Sequence, residues 1–277
     1  MDKAVPGSWS VDPATLLDLR LDKAENALVR GEFDTALVEA EELLDDHPAH
    51  PRALQVSAQS CLGMGDALSA LAALTRFVEL HTPDATTLVT LAAARFECVD
   101  FPGALAAGGQ AATLDAKMAE AWYYQGLAAE RLGHMDEAQA HFGKAASLTE
   151  DRLPQPRDFS NLAWDQLLEQ ALSSLPEPLH AFFETVPFRW DDFPAVEDLL
   201  EHYPPLSPFT DALYRGHPDP DVDPWSQRPE YLHLFRANLA RAVELEEDIA
   251  EQLARALLHE AAHWLGPAAD PAWFASV

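Results

Sequence analysis

The sequence predicts a mainly α protein in two parts. An N-terminal α-solenoid of helix pairs spans residues 17–152, and a small α+β domain spans residues 158–277. Three observations carry this reading. The first half repeats itself at a fixed spacing of 34 residues. Arg152-Leu153-Pro154-Gln155-Pro156-Arg157 then breaks the helical pattern. After it, three short β-rich runs lead to one late helix that carries His259-Glu260-Ala261-Ala262-His263. Residues 1–16 are a lead-in. A length of 277 residues fits two domains, and an apolar content of 48% excludes wholesale disorder.

In the first half, Gly31, Gly65, Val99 and Gly133 occupy one position of the repeat, and Phe33, Ala67, Phe101 and Met135 follow two residues later. Ala36, Ala70, Ala104 and Ala138 share another position, and Ala24, Ala58, Ala92 and Gly126 a third. The register holds across four units without an insertion. Each unit reads as two helices joined at the glycine position. Small residues let the paired helices approach, and Leu54, Leu88 and Trp122 fill the space between units. Pro48 and Pro83 help to end the first two units. The fourth unit, Ala119 to Arg152, has Ala121-Trp122-Tyr123-Tyr124-Gln125-Gly126, then Gly133, then Asp136-Glu137-Ala138. This resembles the tetratricopeptide repeat family, whose unit is about 34 residues long. The third unit departs most, with Val99 in place of glycine and Pro102-Gly103 just inside its second helix. The resemblance implies a short curved solenoid with a concave groove. Gln55, Gln59, Val89, Ala93, Tyr123 and Leu127 are its groove-facing positions. No charge cluster among them names a ligand, so a protein- or peptide-binding groove and a plain helical spacer both stay open.

In the second half, Asp158 or Ser160 is placed to cap a helix with an apolar face of Leu162, Leu167, Leu168 and Leu172. Leu175-Pro176-Glu177-Pro178 interrupts it before a helix through Leu179, Phe182 and Phe183. Val186 to Trp190 reads as a strand with its proline at an edge, Ala212-Leu213-Tyr214 as a second strand, and Tyr231 to Phe235 as a third. Asp191 to Pro208 is acidic and broken by prolines, and His217 to Pro229 is a polar loop.

The run Glu244 to Leu265 lacks proline and glycine, and its Ala, Leu, Glu and Arg content predicts a helix. Residues four apart stack on one face of a helix, so His259 and His263 project together. Two such nitrogens suit one tetrahedral Zn²⁺, and Glu260 is the neighbour able to polarise a water. A single helical histidine is usually an ordinary hydrogen-bonded residue. Three polar groups converging on an otherwise apolar helix are different, because burying them without partners costs several kcal/mol. The ordered set of strands ending in His259-Glu260-Ala261-Ala262-His263-Trp264-Leu265-Gly266 looks like the minimal zincin-like metallopeptidase family. That resemblance implies His259 and His263 as zinc ligands and Glu260 as the catalytic base and then acid. Gly266 should end the helix. The family pattern sets an aspartate six residues after the second histidine, where this chain has Ala269. Asp270, one residue later, is the third-ligand candidate, and His233 is a further candidate beside a structural role.

Acidic residues outnumber basic ones 46 to 18, a formal net charge of −28, which disfavours nucleic acid and anionic membranes as partners. Met1 to Ser10 lacks the basic start and apolar run of a secretory signal. No stretch approaches the roughly 18 apolar residues that span a bilayer. Cys61 and Cys98 have no CxxC spacing and read as buried thiols of a reducing compartment. A cytoplasmic location is expected. The functional expectation is a zinc-dependent peptidase with a repeat domain that binds a protein or peptide. The alternatives are a catalytically silent zincin-like domain in a binding scaffold, and a purely structural zinc.

Overall fold

A computed structural model describes residues 12–149, 153, 154 and 161–270. The chain divides into two compact units, Met1–Leu148 and Thr149–Val277.

The first unit is four antiparallel helix pairs: α1 (Pro13–Val29) with α2 (Phe33–Asp46), α3 (Pro51–Gly63) with α4 (Ala67–Leu80), α5 (Ala85–Glu97) with α6 (Phe101–Leu114), and α7 (Ala119–Arg131) with α8 (Met135–Ala146). The repeated alanines explain the close packing. Ala24, Ala58, Ala92, Ala36, Ala70 and Ala104 are all fully buried. Gly126 replaces alanine in the fourth unit because a Cβ there would lie 2.8 Å from the Phe142 ring.

The turns between paired helices need a left-handed residue. Gly31, Gly65 and Gly133 supply it at φ 72°, 79° and 79°. Val99 takes the same conformation at φ 65°. Its turn keeps the hydrogen bonds of the others, Val99 N–H to Phe96 O and Asp100 N–H to Arg95 O, matching Gly65 to Leu62 and Asp66 to Cys61. The third unit's departure is therefore absorbed as backbone strain and not as a changed path. Pro102 is tolerated because it lies in the first turn of α6, where the Asp100 carboxylate caps the Gly103 N–H at 2.9 Å.

The second unit contains α9 (Trp164–Ser174), α10 (Glu177–Phe183), β1 (Phe188–Asp191), α11 (Val196–Leu200), β2 (Ala212–Arg215), β3 (Tyr231–Phe235), α12 (Arg236–Arg241) and α13 (Ile249–Leu265). The expected capping residues Asp158 and Ser160 lie outside the described residues, and α9 begins at Trp164 after Ala163. The sheet order is β1-β3-β2, with β1 parallel and β2 antiparallel to β3. Both β1 and β2 are thus edges, and Pro187 just before β1 is compatible with an edge position.

The core joins Leu168 and Ala171 of α9, Phe182 and Phe183 of α10, Leu232 and Leu234 of β3, and Leu253, Leu257, Ala261 and Leu265 of α13. The acidic, proline-broken stretch hides the short helix α11, whose Leu199 is fully buried. The late helix is shorter than Glu244 to Leu265 implies. Leu245 is extended at φ −119°, ψ 144°, a 3₁₀ turn covers Glu246–Asp248, and α13 starts only at Ile249. Its other end falls as expected. Gly266 at φ 52°, ψ −130° stops the helix in a conformation suited to glycine.

Candidate metal site

The motif helix sets its polar residues against β2. Along α13, Gln252, Ala256, His259, Glu260 and His263 share one face by helical spacing, and all five line a cleft of about 850 Å³. Glu201, His202, Leu206 and residues 210–217 complete its lining. These last include β2, an edge strand of the sheet. Asp211 and Arg215 turn their carbonyls to β3, accepting from Phe235 N–H and Glu230 N–H. By strand alternation, Ala212 and Tyr214 turn their backbone groups outwards. Tyr214 N–H accordingly donates to Glu260 Oε2 at 3.0 Å, well away from β3.

The two imidazoles converge. His259 Nε2 and His263 Nε2 lie 3.1 Å apart, with ring centroids separated by 4.6 Å. Two nitrogens each about 2.0–2.1 Å from a tetrahedral Zn²⁺ sit about 3.3 Å apart, so the pair has the bite that zinc needs. Burial, and then the neighbouring His263, lower the His259 pKa, which favours the neutral ring whose lone pair binds metal. Glu260 is 6% exposed, and burial pushes its carboxyl up to about 7, against the opposing effect of the Tyr214 N–H. A carboxyl tuned near neutrality suits proton transfer.

The expected third ligand stands apart. Asp270 is exposed, just beyond the 3₁₀ turn Gly266–Ala268, and is not among the residues lining the cleft. Among the described residues, no group of three or more His, Cys, Asp or Glu side chains is arranged to hold a metal ion. The histidine pair thus fits zinc, while the described residues do not complete a ligand set around it.

His233 belongs elsewhere. Leu232 and Leu234 face the core that contains α13, so the alternating His233 lies on the other sheet face. There its Nε2 meets Asp191 Oδ2 at 2.5 Å, and its ring packs against Phe235. It is a structural histidine, removed from the cleft.

The six groove positions of the repeats divide. Gln55, Gln59 and Val89 are half-buried, and Gln55 donates to Thr87 Oγ1 at 2.6 Å. Ala93, Tyr123 and Leu127 are buried, Leu127 completely. The packing of Tyr123 against Phe142 shows why, since large side chains on α7 fill the repeat interior. The side chains of these three lie within the packed repeats. Cys61 is buried and Cys98 half-buried, and burial raises both thiol pKa values, as expected of inert thiols.

A short sheet crossed by a His-Glu-x-x-His helix, downstream of helix-pair repeats, defines a protein with a zincin-like domain and a tetratricopeptide-type array. The family comparisons agree. Residues 183–272 match the family model described as zincin-like metallopeptidase, and residues 119–152 match the tetratricopeptide repeat model. Among solved structures, the chain is similar to "Crystal structure of MamA" at 25% identity and TM-score 0.42, over 46% of this chain and 74% of that one. It is similar also to "MamA 41-end from Desulfovibrio magneticus RS-1" at 20% identity and TM-score 0.44, over 48% and 75% of the two chains. Likeness at this level assigns no activity. No curated protein matches the chain. No helix among the described residues is long and apolar enough to cross a membrane.

Sequence reasoning missed the partners that frame the motif. Nothing local in the sequence marks the Tyr214 N–H as the group that holds Glu260, or His202 and His217 as cleft residues. The α13 face itself was open to helical spacing, because Gln252, Ala256 and His259 continue the stripe that ends at His263.

Proposed function

We propose that the C-terminal unit is a zinc-dependent peptidase domain and that the repeats bind or position a protein for it. The observation that carries this reading is the convergence of His259 and His263 at 3.1 Å beside the buried Glu260, in a cleft open to solvent. His259 and His263, whose Nε2 atoms converge, would hold the metal. Asp270 is the third ligand in this reading, and it joins them only if the Gly266–Ala268 turn moves.

Bound zinc supplies two things here, a lowered pKa for a coordinated water and polarisation of the scissile carbonyl. Glu260 takes the proton of the attacking water and returns it to the leaving amine. Tyr214 N–H orients the Glu260 carboxylate. The outward backbone groups of Ala212 and the carbonyl of Tyr214 offer an extended substrate segment a strand edge to pair with, the Tyr214 N–H being kept by Glu260. An extended peptide therefore fits the cleft better than a compact substrate.

The test compares zinc-loaded wild type with Glu260→Gln on unfolded protein. The reading requires hydrolysis by the former, and none by the latter at equal zinc content.

One observation favours a second reading, a scaffold with a catalytically silent domain: Asp270 lies exposed and outside the cleft. In that case the purified chain holds little zinc, turns nothing over, and binds its partner equally well after His259→Ala.

A further inference from the structure

Asp211 lies in the same cleft as the histidine pair but has no part in the chemistry assigned to it. Its backbone oxygen is used by the sheet, accepting from Phe235 N–H at 2.9 Å. Its side chain is half-buried, and Oδ2 accepts from the Gln252 amide at 2.6 Å. Burial pushes the Asp211 carboxyl up to about 6, against the opposing pull of that amide.

Among the described residues, no cation pairs with this carboxylate. The cleft's two arginines are engaged elsewhere. Arg215 is held by Asp198 and Glu201, and Arg255 by Glu251 and the side-chain oxygen of Gln252. A partly desolvated carboxylate with one neutral donor is incompletely satisfied, and it lines the cleft that the peptidase reading gives to an extended chain.

The spacing says where a ligand would meet it. Gln252 and His259 stand on one face of α13, seven residues apart, or about 10 Å along the helix. An extended chain advances about 3.3 Å per residue, so roughly three residues bridge that distance. We propose that Asp211, positioned by Gln252, is a specificity subsite for a lysine or arginine side chain about three residues from the cleaved bond. The proposal rests on the peptidase reading and adds a substrate class to it. A hydrogen bond to a charged group contributes about 1.5–3 kcal/mol, which corresponds to at least a ten-fold preference.

The experiment scans one lysine or one norleucine through an otherwise neutral eight-residue peptide. It measures kcat/KM with the zinc-loaded full chain at pH 7.5, and the affinity of Glu260→Gln for the same peptides by fluorescence anisotropy. Lysine should be preferred about ten-fold at one position only, three residues from the cut. Asp211→Asn should bring that ratio to about one, and Asp211→Lys should turn the preference to glutamate. Equal values for lysine and norleucine at every position overturn the subsite while leaving the peptidase standing. A lysine preference that survives Asp211→Asn does the same. A chain that neither cuts nor binds any of these peptides overturns both.

Discussion

The backbone N–H of Tyr214 donates to the Glu260 carboxylate across 3.0 Å, tying the open edge of β2 to the motif helix. This bond decides which substitution isolates chemistry from folding. Glutamine keeps an acceptor for Tyr214, whereas alanine leaves a half-buried N–H without one, at a cost of about 1–3 kcal/mol. Thermal denaturation should find Glu260→Gln within about 1 kcal/mol of wild type and Glu260→Ala clearly lower. Equal losses in both would mean that the bond contributes nothing.

Zinc affinity reads the ligand set directly. His259→Ala and His263→Ala each remove half of a convergent pair and should weaken zinc binding at least about 100-fold by calorimetric titration. Asp270→Ala should weaken it about ten-fold if its turn closes onto the metal. An unchanged affinity for the last variant would remove Asp270 from the ligand set and leave the pair intact.

The repeat turns make a separate prediction. Gly133 sits at φ 79° with nothing within 4 Å of an added Cβ, so Gly133→Ala tests backbone strain without a clash. It should cost about 1–2 kcal/mol in urea denaturation. Gly126→Ala should cost more than the difference in helix propensity suggests, because its Cβ meets the Phe142 ring at 2.8 Å. A neutral result at both positions would contradict the tight helix pairing described above.

Asp211 sets a pH dependence. Its folded pKa, about 6, lies above the ordinary 3.8, so the folded state holds this proton longer than the unfolded state does. The group therefore contributes no penalty below about pH 4, and stability falls as pH rises from about 4 to 6. Asp211→Asn removes that dependence. Allowing for partial exposure, its stability relative to wild type should improve by about 1–2 kcal/mol between pH 4 and pH 7. A constant difference across that range would contradict the desolvation of this carboxyl.

What the sequence disclosed follows a physical division. The repeats were legible because their demands are periodic and local: alanine at buried crossings, and glycine at left-handed turns. Val99 marks the limit, since the spacing flags a departure but cannot say that the turn survives it at φ 65°. The strand Tyr231–Phe235 was legible from its aromatic ends and paired leucines after the proline-rich loop that ends at Pro229, and it matches β3. The start of α13 was not, because Glu244 to Asp248 are acceptable helix residues and only the extended Leu245 separates them from it. The approach of His259 to His263 was legible because it needs only one helical turn. Tyr214 with Glu260 and Asp211 with Gln252 join residues 46 and 41 positions apart, and no local rule pairs them. The burial of Leu127 was likewise hidden, since repeat spacing fixes a helix face but not what covers it.

The most direct test measures zinc content and peptide-bond hydrolysis together, on wild type and Glu260→Gln prepared side by side. One zinc per chain in both proteins, with hydrolysis only in wild type, is the predicted result. Hydrolysis at equal rates in both, or wild type with zinc bound and no turnover on any unfolded protein, would contradict the assignment of Glu260 as the base of a zinc peptidase.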